Sequence, residues 1–180
     1  MPHIFKETIF YSFRIFDDPL IRETNLDLDT IIPTCEEAKN RLINLFNEDG
    51  IFTFEMIRPE IYKHEISFNF LPNFRKGSIH FIFKPFEYIR ILKNAYNICV
   101  VSWELKDVHL SSQNDIPFTN HKRMLSLVNE IWAFSNFQKD LLNQYNFPNT
   151  FLITEDSSNQ DLSFDKMINR ISAIRSNMNE

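Results

Sequence analysis

The sequence predicts an α/β fold of Rossmann-like kind, a three-layer domain over residues 1–180 with a mainly parallel sheet and helices on both faces. Three observations predict it. From residue 78 onward, strand-like and helix-like segments alternate four times. The connections between them are short, as in sheets built from repeated crossovers. Two of the strand segments, 78–83 and 97–102, are almost wholly apolar, the pattern of strands covered on both faces.

Taken in order, Thr8–Phe16 alternates enough to be a strand, and Asp17–Pro33 is polar and acidic and reads as a loop. Thr34 followed by Glu37 has the spacing of a capping box. The helix it would start runs to about Glu48, with Ala38, Leu42, Leu45 and Phe46 on one face, and Gly50 stops it. Ile51–Ile57 is a strand that ends before Pro59. After the apolar strand Ser78–Phe83, Pro85 stands at a plausible first helical position and predicts a helix over Phe86–Asn94. Asn97–Ser102 is the clearest buried strand. His109–Asn120 is polar and irregular, His121–Val128 a short helix, and Glu130–Phe134 another strand. Ser135 and Gln138 form a second capping box for a helix to about Tyr145. Thr150–Thr154 is the last strand, and Ser163 caps a terminal helix to about Met178.

Composition excludes several functions. The chain has 180 residues, 43% hydrophobic and 24% charged, which describes a folded globular protein. Its only glycines are Gly50 and Gly77, so neither a G-x-G-x-x-G turn nor a P-loop can be built. A formal charge of −5 argues against nucleic acid as a partner. The charge is uneven. Residues 17–60 carry eleven acidic side chains against Arg22, Lys39, Arg41 and Arg58. Residues 75–93 carry Arg75, Lys76, Lys84, Arg90 and Lys93 against Glu87, either a solvated surface or a patch that meets a phosphate or an acidic membrane surface. Cys35 and Cys99 have no zinc or redox spacing and read as two buried thiols. No cofactor and no metal is expected. No apolar run reaches membrane-spanning length and the first residues lack a signal-peptide core, so the expected location is cytoplasmic.

In doubly wound sheets, ligands sit beyond the carboxyl ends of the strands, so the residues that follow strands are the site candidates. Lys84 follows the strand 78–83 and could meet an anion; an ordinary loop lysine is the competing reading. His80 lies within that strand, either a ligand contact or a packed, hydrogen-bonded core residue. Trp103 and Glu104 follow the strand 97–102. Trp offers a stacking face for a sugar ring or base, and Glu an acceptor or general base. The plainer alternative is a Trp packed on the sheet edge and a Glu paired with a lysine. Ser135 follows 130–134 as an N-cap, at a helix N-terminus that could receive an anionic or hydroxyl-rich ligand.

Three pieces of sequence together carry a family resemblance: Ile79-His80-Phe81 with Pro85-Phe86-Glu87; Asn97-Ile98-Cys99-Val100-Val101-Ser102-Trp103-Glu104; and Met124-Leu125 followed by Asn129-Glu130-Ile131-Trp132-Ala133-Phe134-Ser135-Asn136-Phe137-Gln138. Over residues 78–153 the chain resembles the amino-terminal, acceptor-side domain of GT-B-fold glycosyltransferases. The resemblance implies a domain that helps transfer a sugar from a nucleotide-sugar to a glycan or lipid-linked acceptor. Glu104 would be the catalytic candidate, and Trp103, Lys84, His80 and Ser135 would line the acceptor side. The chain departs from the family in lacking a glycine-rich loop after its first strand and any Glu-x7-Glu pair. A donor-binding domain on another chain, or in a longer protein, is therefore expected as a partner, with peripheral contact at the inner face of the membrane and self-association as further expectations. The alternative is a non-catalytic, degenerate glycosyltransferase-like binding or scaffold module in polysaccharide biosynthesis. A third reading, a small α/β enzyme acting on a phosphorylated metabolite, lacks the glycines for a conventional phosphate cradle.

Overall fold

The computed structural model of the protein describes residues 7–12, 28–49, 52–56, 78–92, 95–102, 108, 120–147, 149–153 and 160–178. Six strands form one sheet: β1 (Glu7–Ser12), β2 (Phe52–Met56), β3 (Ser78–Ile82), β4 (Ala95–Val101), β5 (Glu130–Ala133) and β6 (Thr150–Leu152). Their order is β2-β1-β3-β4-β5-β6, and every neighbouring pair is parallel. The described helices are α1 (Leu28–Asp49), α2 (His121–Leu125), α3 (Asn136–Gln144) and α4 (Gln160–Met178). This is the α/β, Rossmann-like architecture that the alternation of segments predicts.

The two faces of the sheet follow from side-chain alternation. Ile9, Ile79, Phe81, Ile98, Val100 and Trp132 point to one face, where they pack with Ala38, Leu42 and Phe46 of α1 and Met167, Ile171 and Ile174 of α4. Ile82, Cys99, Val101 and Ile131 point to the other, under Met124 and Leu125 of α2 and Leu142 of α3. Helices thus cover both faces, which explains why β3 and β4 are apolar at nearly every position. Phe81 stands at the centre of the first face, with its ring centroid 5.0 Å from Trp132 in an edge-on contact and 6.4 Å from Phe46.

Helix α1 begins at Leu28, so residues 28–33, expected as loop, are helical. Thr34 lies inside the helix and is not its cap. Its hydroxyl turns back to donate to the Ile31 carbonyl at 2.8 Å, because a residue this far into a helix finds no unused N–H ahead of it. Ile31 packs in the same cluster as Cys35, one turn on, which gives the added turns an apolar contact. Pro33 is accommodated inside the helix at the cost of one backbone donor.

The helix expected over 86–94 is also corrected. Only a 3-10 turn forms, at Phe86–Tyr88, and Ile89 is already extended. The cause lies in β4. The Asn97 side chain accepts from the Leu92 N–H at 2.8 Å and donates to the Leu92 carbonyl at 3.0 Å. A helix would need those two backbone groups for itself. The crossover from β3 to β4 is therefore an irregular segment pinned at Leu92. In α4 the helix starts at Gln160, so Ser163 lies within it and is not its cap. The second capping box is present as expected: Ser135 Oγ accepts from the Gln138 N–H at 3.1 Å, and Gln138 Oε1 accepts from the Ser135 N–H at 3.1 Å.

Candidate functional site at the carboxyl edge of the sheet

The strand order reverses direction at the β1–β3 pair. From β1 the chain moves outward to β2, then returns to add β3 on the opposite side of β1 and continues to β6. Such a switch point leaves a crevice beyond the strand ends, because the connections on its two sides depart in opposite directions. Ser12 ends β1, Phe83 and Lys84 follow β3, and Ser102 follows β4. The β1 and β3 ends are held together by the Phe83 N–H, which donates to the Ser12 carbonyl at 2.9 Å.

Lys84 is at this edge, and it is almost fully buried, with 1% of its surface exposed. Burial lowers its pKa to about 7, and the positive charge of Arg90 adds to the effect. The amine is therefore poised between its two protonation states near neutral pH. Arg90, on the segment after the 3-10 turn, is anchored by a hydrogen bond from its own guanidinium to the Ile89 carbonyl at 2.9 Å. Arg75, Lys76 and Lys93, the rest of the basic stretch, lie outside the described residues.

His80 is fully buried in β3 and both ring nitrogens are engaged. Nδ1 meets Asn97 Oδ1 at 2.9 Å, and Nε2 meets Ser12 Oγ at 3.1 Å. The Asn97 amide is oriented by donating to the Leu92 and Ala95 carbonyls. That leaves Oδ1 to accept, so the ring proton sits on Nδ1 and the Ser12 hydroxyl donates to Nε2. Burial drives the imidazole pKa down to about 3, opposed by the Asn97 hydrogen bond and reinforced by Lys84. The order hydroxyl, imidazole, amide resembles a nucleophile relay. An imidazole that stays neutral to about pH 3 is a poor proton acceptor, and Ser12 is itself buried. The trio ties β1, β3 and β4 together.

Cys35 of α1 reaches the same edge. Its thiol neighbours Ser102, and burial raises its pKa to about 11. Cys99 is pushed up by burial, with Cys35 adding to the effect. Both are free, buried thiols. Ser102 Oγ is buried without a hydrogen-bond partner among the described residues.

Of the residues singled out in the sequence, the structure places His80 inside β3 and Lys84 just past its end, close enough for the lysine's charge to act on the imidazole. Ser135 stands at the end of β5, as the N-cap of α3. Trp103 and Glu104, which follow Ser102 directly, lie outside the described residues. Among the described residues, no group of three or more His, Cys, Asp or Glu side chains could hold a metal ion.

Two buried polar pairs were not legible in the sequence. Glu87, in the 3-10 turn, meets His121 Nε2, at the start of α2, at 2.7 Å, with the Phe86 ring edge-on to the imidazole. The pair ties the β3–β4 crossover to the start of α2, and their separation of 34 positions gives no local signal. Glu130 is held by Arg170 through two nitrogens, and also accepts from Tyr96 Oη at 3.0 Å and Trp132 Nε1 at 2.9 Å. This second network is at the opposite, amino edge of the sheet. There, too, a cavity of about 390 Å³ opens between the ends of α2 and α3, lined by Lys122, Leu125, Asn129, Tyr145 and Phe147 among others. None of the site residues predicted from sequence lines it.

No helix among the described residues is long and apolar enough to cross a membrane. In comparisons with known proteins, no protein-family profile, no curated protein and no solved structure matches the chain.

Proposed function

We propose that the chain is the acceptor-side part of a glycosyltransferase of GT-B kind, and that it takes its acceptor at the carboxyl edge of the sheet, around the switch point. The observation that carries this reading is the carboxyl edge of the parallel sheet, where the buried Lys84 follows β3 and Ser102 follows β4 at the switch point. In the sequence, Trp103 and Glu104 directly follow Ser102, the residue after a central, fully covered parallel strand. That is where a doubly wound sheet offers side chains to a ligand. The stretch Asn129–Gln138 supports the same reading. It makes a buried strand and then a capped helix start, the element order the resemblance implies.

In this reading Trp103 offers its ring to the acceptor sugar, and Glu104 acts as general base toward the acceptor hydroxyl. The nucleotide-sugar is bound by a domain outside these residues. The test is reconstitution. The tagged chain is recovered from its native cells, co-eluting proteins are identified, and sugar transfer from labelled nucleotide-sugars is measured. Transfer that depends on both components and falls at least about tenfold in Glu104→Gln, with folding unchanged, is the expected result. Recovery of the chain alone, with no transfer and no nucleotide-sugar effect on its melting, would leave the non-catalytic binding module as the function.

A further inference from the structure

We infer that the cavity at the amino edge of the sheet, between the ends of α2 and α3, is a binding site for the base of a nucleoside or nucleotide. The base lies on the apolar floor of the cavity, and side-chain amides of the lining read its edge. The inference is separate from the acceptor-side reading, which concerns the opposite edge of the sheet and has its own test.

The cavity is built by the two turns that lead into β5 and β6. Its volume of about 390 Å³ lies in the range of small-molecule sites, roughly 300–1,000 Å³. Its floor is the edge of the second hydrophobic cluster. Leu125, Ile131 and Phe147 are buried there, with Tyr145 half-buried beside them. The floor is therefore part of the packed core and is formed before any ligand arrives. Phe147 reaches it through the way α3 ends. Asn146 is left-handed, with φ at 59°, and donates from its N–H to the Asn143 carbonyl at 3.0 Å. The Phe147 N–H then donates back to the Leu142 carbonyl at 3.3 Å, which completes a Schellman ending.

Asn129, Asn146 and Asn149 bring three amides to the lining. Asn129 Oδ1 accepts from the Asn97 N–H at 2.8 Å, and Asn149 Nδ2 donates to the Asn129 carbonyl at 3.1 Å. These bonds orient both amides, and leave Asn129 its NH2 to donate and Asn149 its Oδ1 to accept. Asn146 adds a group of each kind. Donors and acceptors around an apolar floor suit a flat ring with both kinds of group along its edge. An aliphatic chain would set these amides against methylenes with nothing to pair with. A bare phosphate would leave the apolar floor in water. A nucleobase matches both the floor and the amides.

Charge leaves room for the rest of a nucleotide. Glu130 also lines the cavity, but its carboxylate is neutralised by Arg170 and filled by Tyr96 and Trp132, so it sets no unpaired negative charge against a phosphate. Lys122 is an exposed cation of the lining and offers its charge to that phosphate. A nucleoside would bind without it.

The test uses the full chain with adenosine, uridine, their monophosphates and ribose phosphate as probes, followed by calorimetry and ligand-observed NMR. Saturable binding of at least one base-containing probe is expected, with ribose phosphate much weaker. Glycine is the residue that the left-handed position prefers, so Asn146→Gly removes the amide while thermal stability holds or rises. Binding in that variant should fall roughly fivefold or more. Ser126→Trp, at an exposed lining position, fills the opening and should abolish binding in a folded protein. Asp140→Ala, exposed on α3 and outside the lining, should bind as the native chain does. A monophosphate that binds more tightly than its nucleoside, and loses that advantage in Lys122→Ala, identifies a nucleotide as the ligand. Equal binding of the two, unchanged in Lys122→Ala, identifies a nucleoside. The proposal is overturned if no probe saturates, or if ribose phosphate binds as well as the monophosphates. It is also overturned if Asn146→Gly and Ser126→Trp, both folded, bind normally, or if Asp140→Ala loses binding equally.

Discussion

Arg170 grips Glu130 in a two-nitrogen ion pair, with Nε 2.9 Å from Oε1 and the terminal nitrogen 2.7 Å from Oε2. The pair fastens the terminal helix α4 to the start of β5, and Tyr96 and Trp132 fill the remaining acceptor positions of the carboxylate. Glu130 is 1% exposed, so the arginine's loss leaves a buried charge with only neutral donors. Arg170→Ala should therefore destabilise the protein by on the order of 3 kcal/mol. Trp132→Phe should cost about 1–3 kcal/mol through the lost donor and packing. Equilibrium urea unfolding of the three proteins measures both. A loss under about 0.5 kcal/mol for Arg170→Ala would mean that the ion pair contributes no more than a surface contact.

Asn97 is the hub of the network around His80. One amide serves His80, the Leu92 N–H and two carbonyls. Asn97→Ala removes all four partners at once inside the protein and should cost about 3 kcal/mol or more, since each buried group left unpaired costs roughly 1–3 kcal/mol. Ser12→Ala removes a single donor and should cost about 1 kcal/mol. The same urea experiment separates the two. Hydrogen exchange adds a positional readout, because the Leu92 amide should lose protection in Asn97→Ala and keep it in Ser12→Ala.

How far the sequence revealed this structure follows from the range of the interactions involved. β3, β4 and β5 are legible because burial on both faces writes itself as a mostly apolar run, broken only by residues such as His80, Asn97 and Glu130. The box at Ser135 and Gln138 is legible because its two partners lie three positions apart. The same local pattern at Thr34 misleads: Pro33 looks like a boundary, but the packing of Ile31 extends the helix past it. The segment after Phe86 misleads for the opposite reason, since its conformation is dictated by Asn97, a residue on the next strand. Lys84 is legible as a residue after a strand, yet its burial and its proximity to Arg90 depend on the fold. Glu87–His121 and Glu130–Arg170 join residues 34 and 40 positions apart, beyond the reach of any local pattern.

Stability should rise with pH well past neutrality. His80 has a folded pKa of about 3 against an ordinary 6.5, so between these values the unfolded chain holds a proton that the folded one lacks. Its contribution is full above 6.5 and is lost as the pH falls toward 3. Lys84 behaves in the same sense between about 7 and 10.5, so its contribution grows as the pH rises through that range. Cys35 acts in the opposite sense, with a pKa raised from 9.0 to about 11, and its contribution is lost as the pH rises through that interval. Urea midpoints taken from pH 5 to 10 should climb to a maximum at about pH 9, above the usual range. In Lys84→Met the limb above pH 7 should flatten. A native profile that falls from pH 7 to 9 would show that Lys84 is charged in the folded protein.

Ser135 separates two roles that one position could serve. As an N-cap it needs only a side-chain oxygen in reach of the Gln138 N–H, here at 3.1 Å. Ser135→Ala should cost about 1 kcal/mol, and Ser135→Asp should recover most of it, because Asp caps as well as Ser and its charge suits a helix N-terminus. A site that receives an anionic acceptor would respond differently. There, Ser135→Asp keeps the helix start but sets a negative charge against the ligand, so binding falls while stability holds. The capping geometry is complete without a ligand, since Gln138 Oε1 also accepts from the Phe134 N–H at 2.9 Å. The expected result is therefore that thermal stability follows the order Ser, Asp, Ala. A loss of acceptor binding in Ser135→Asp, with stability held, would place the end of β5 in the acceptor site.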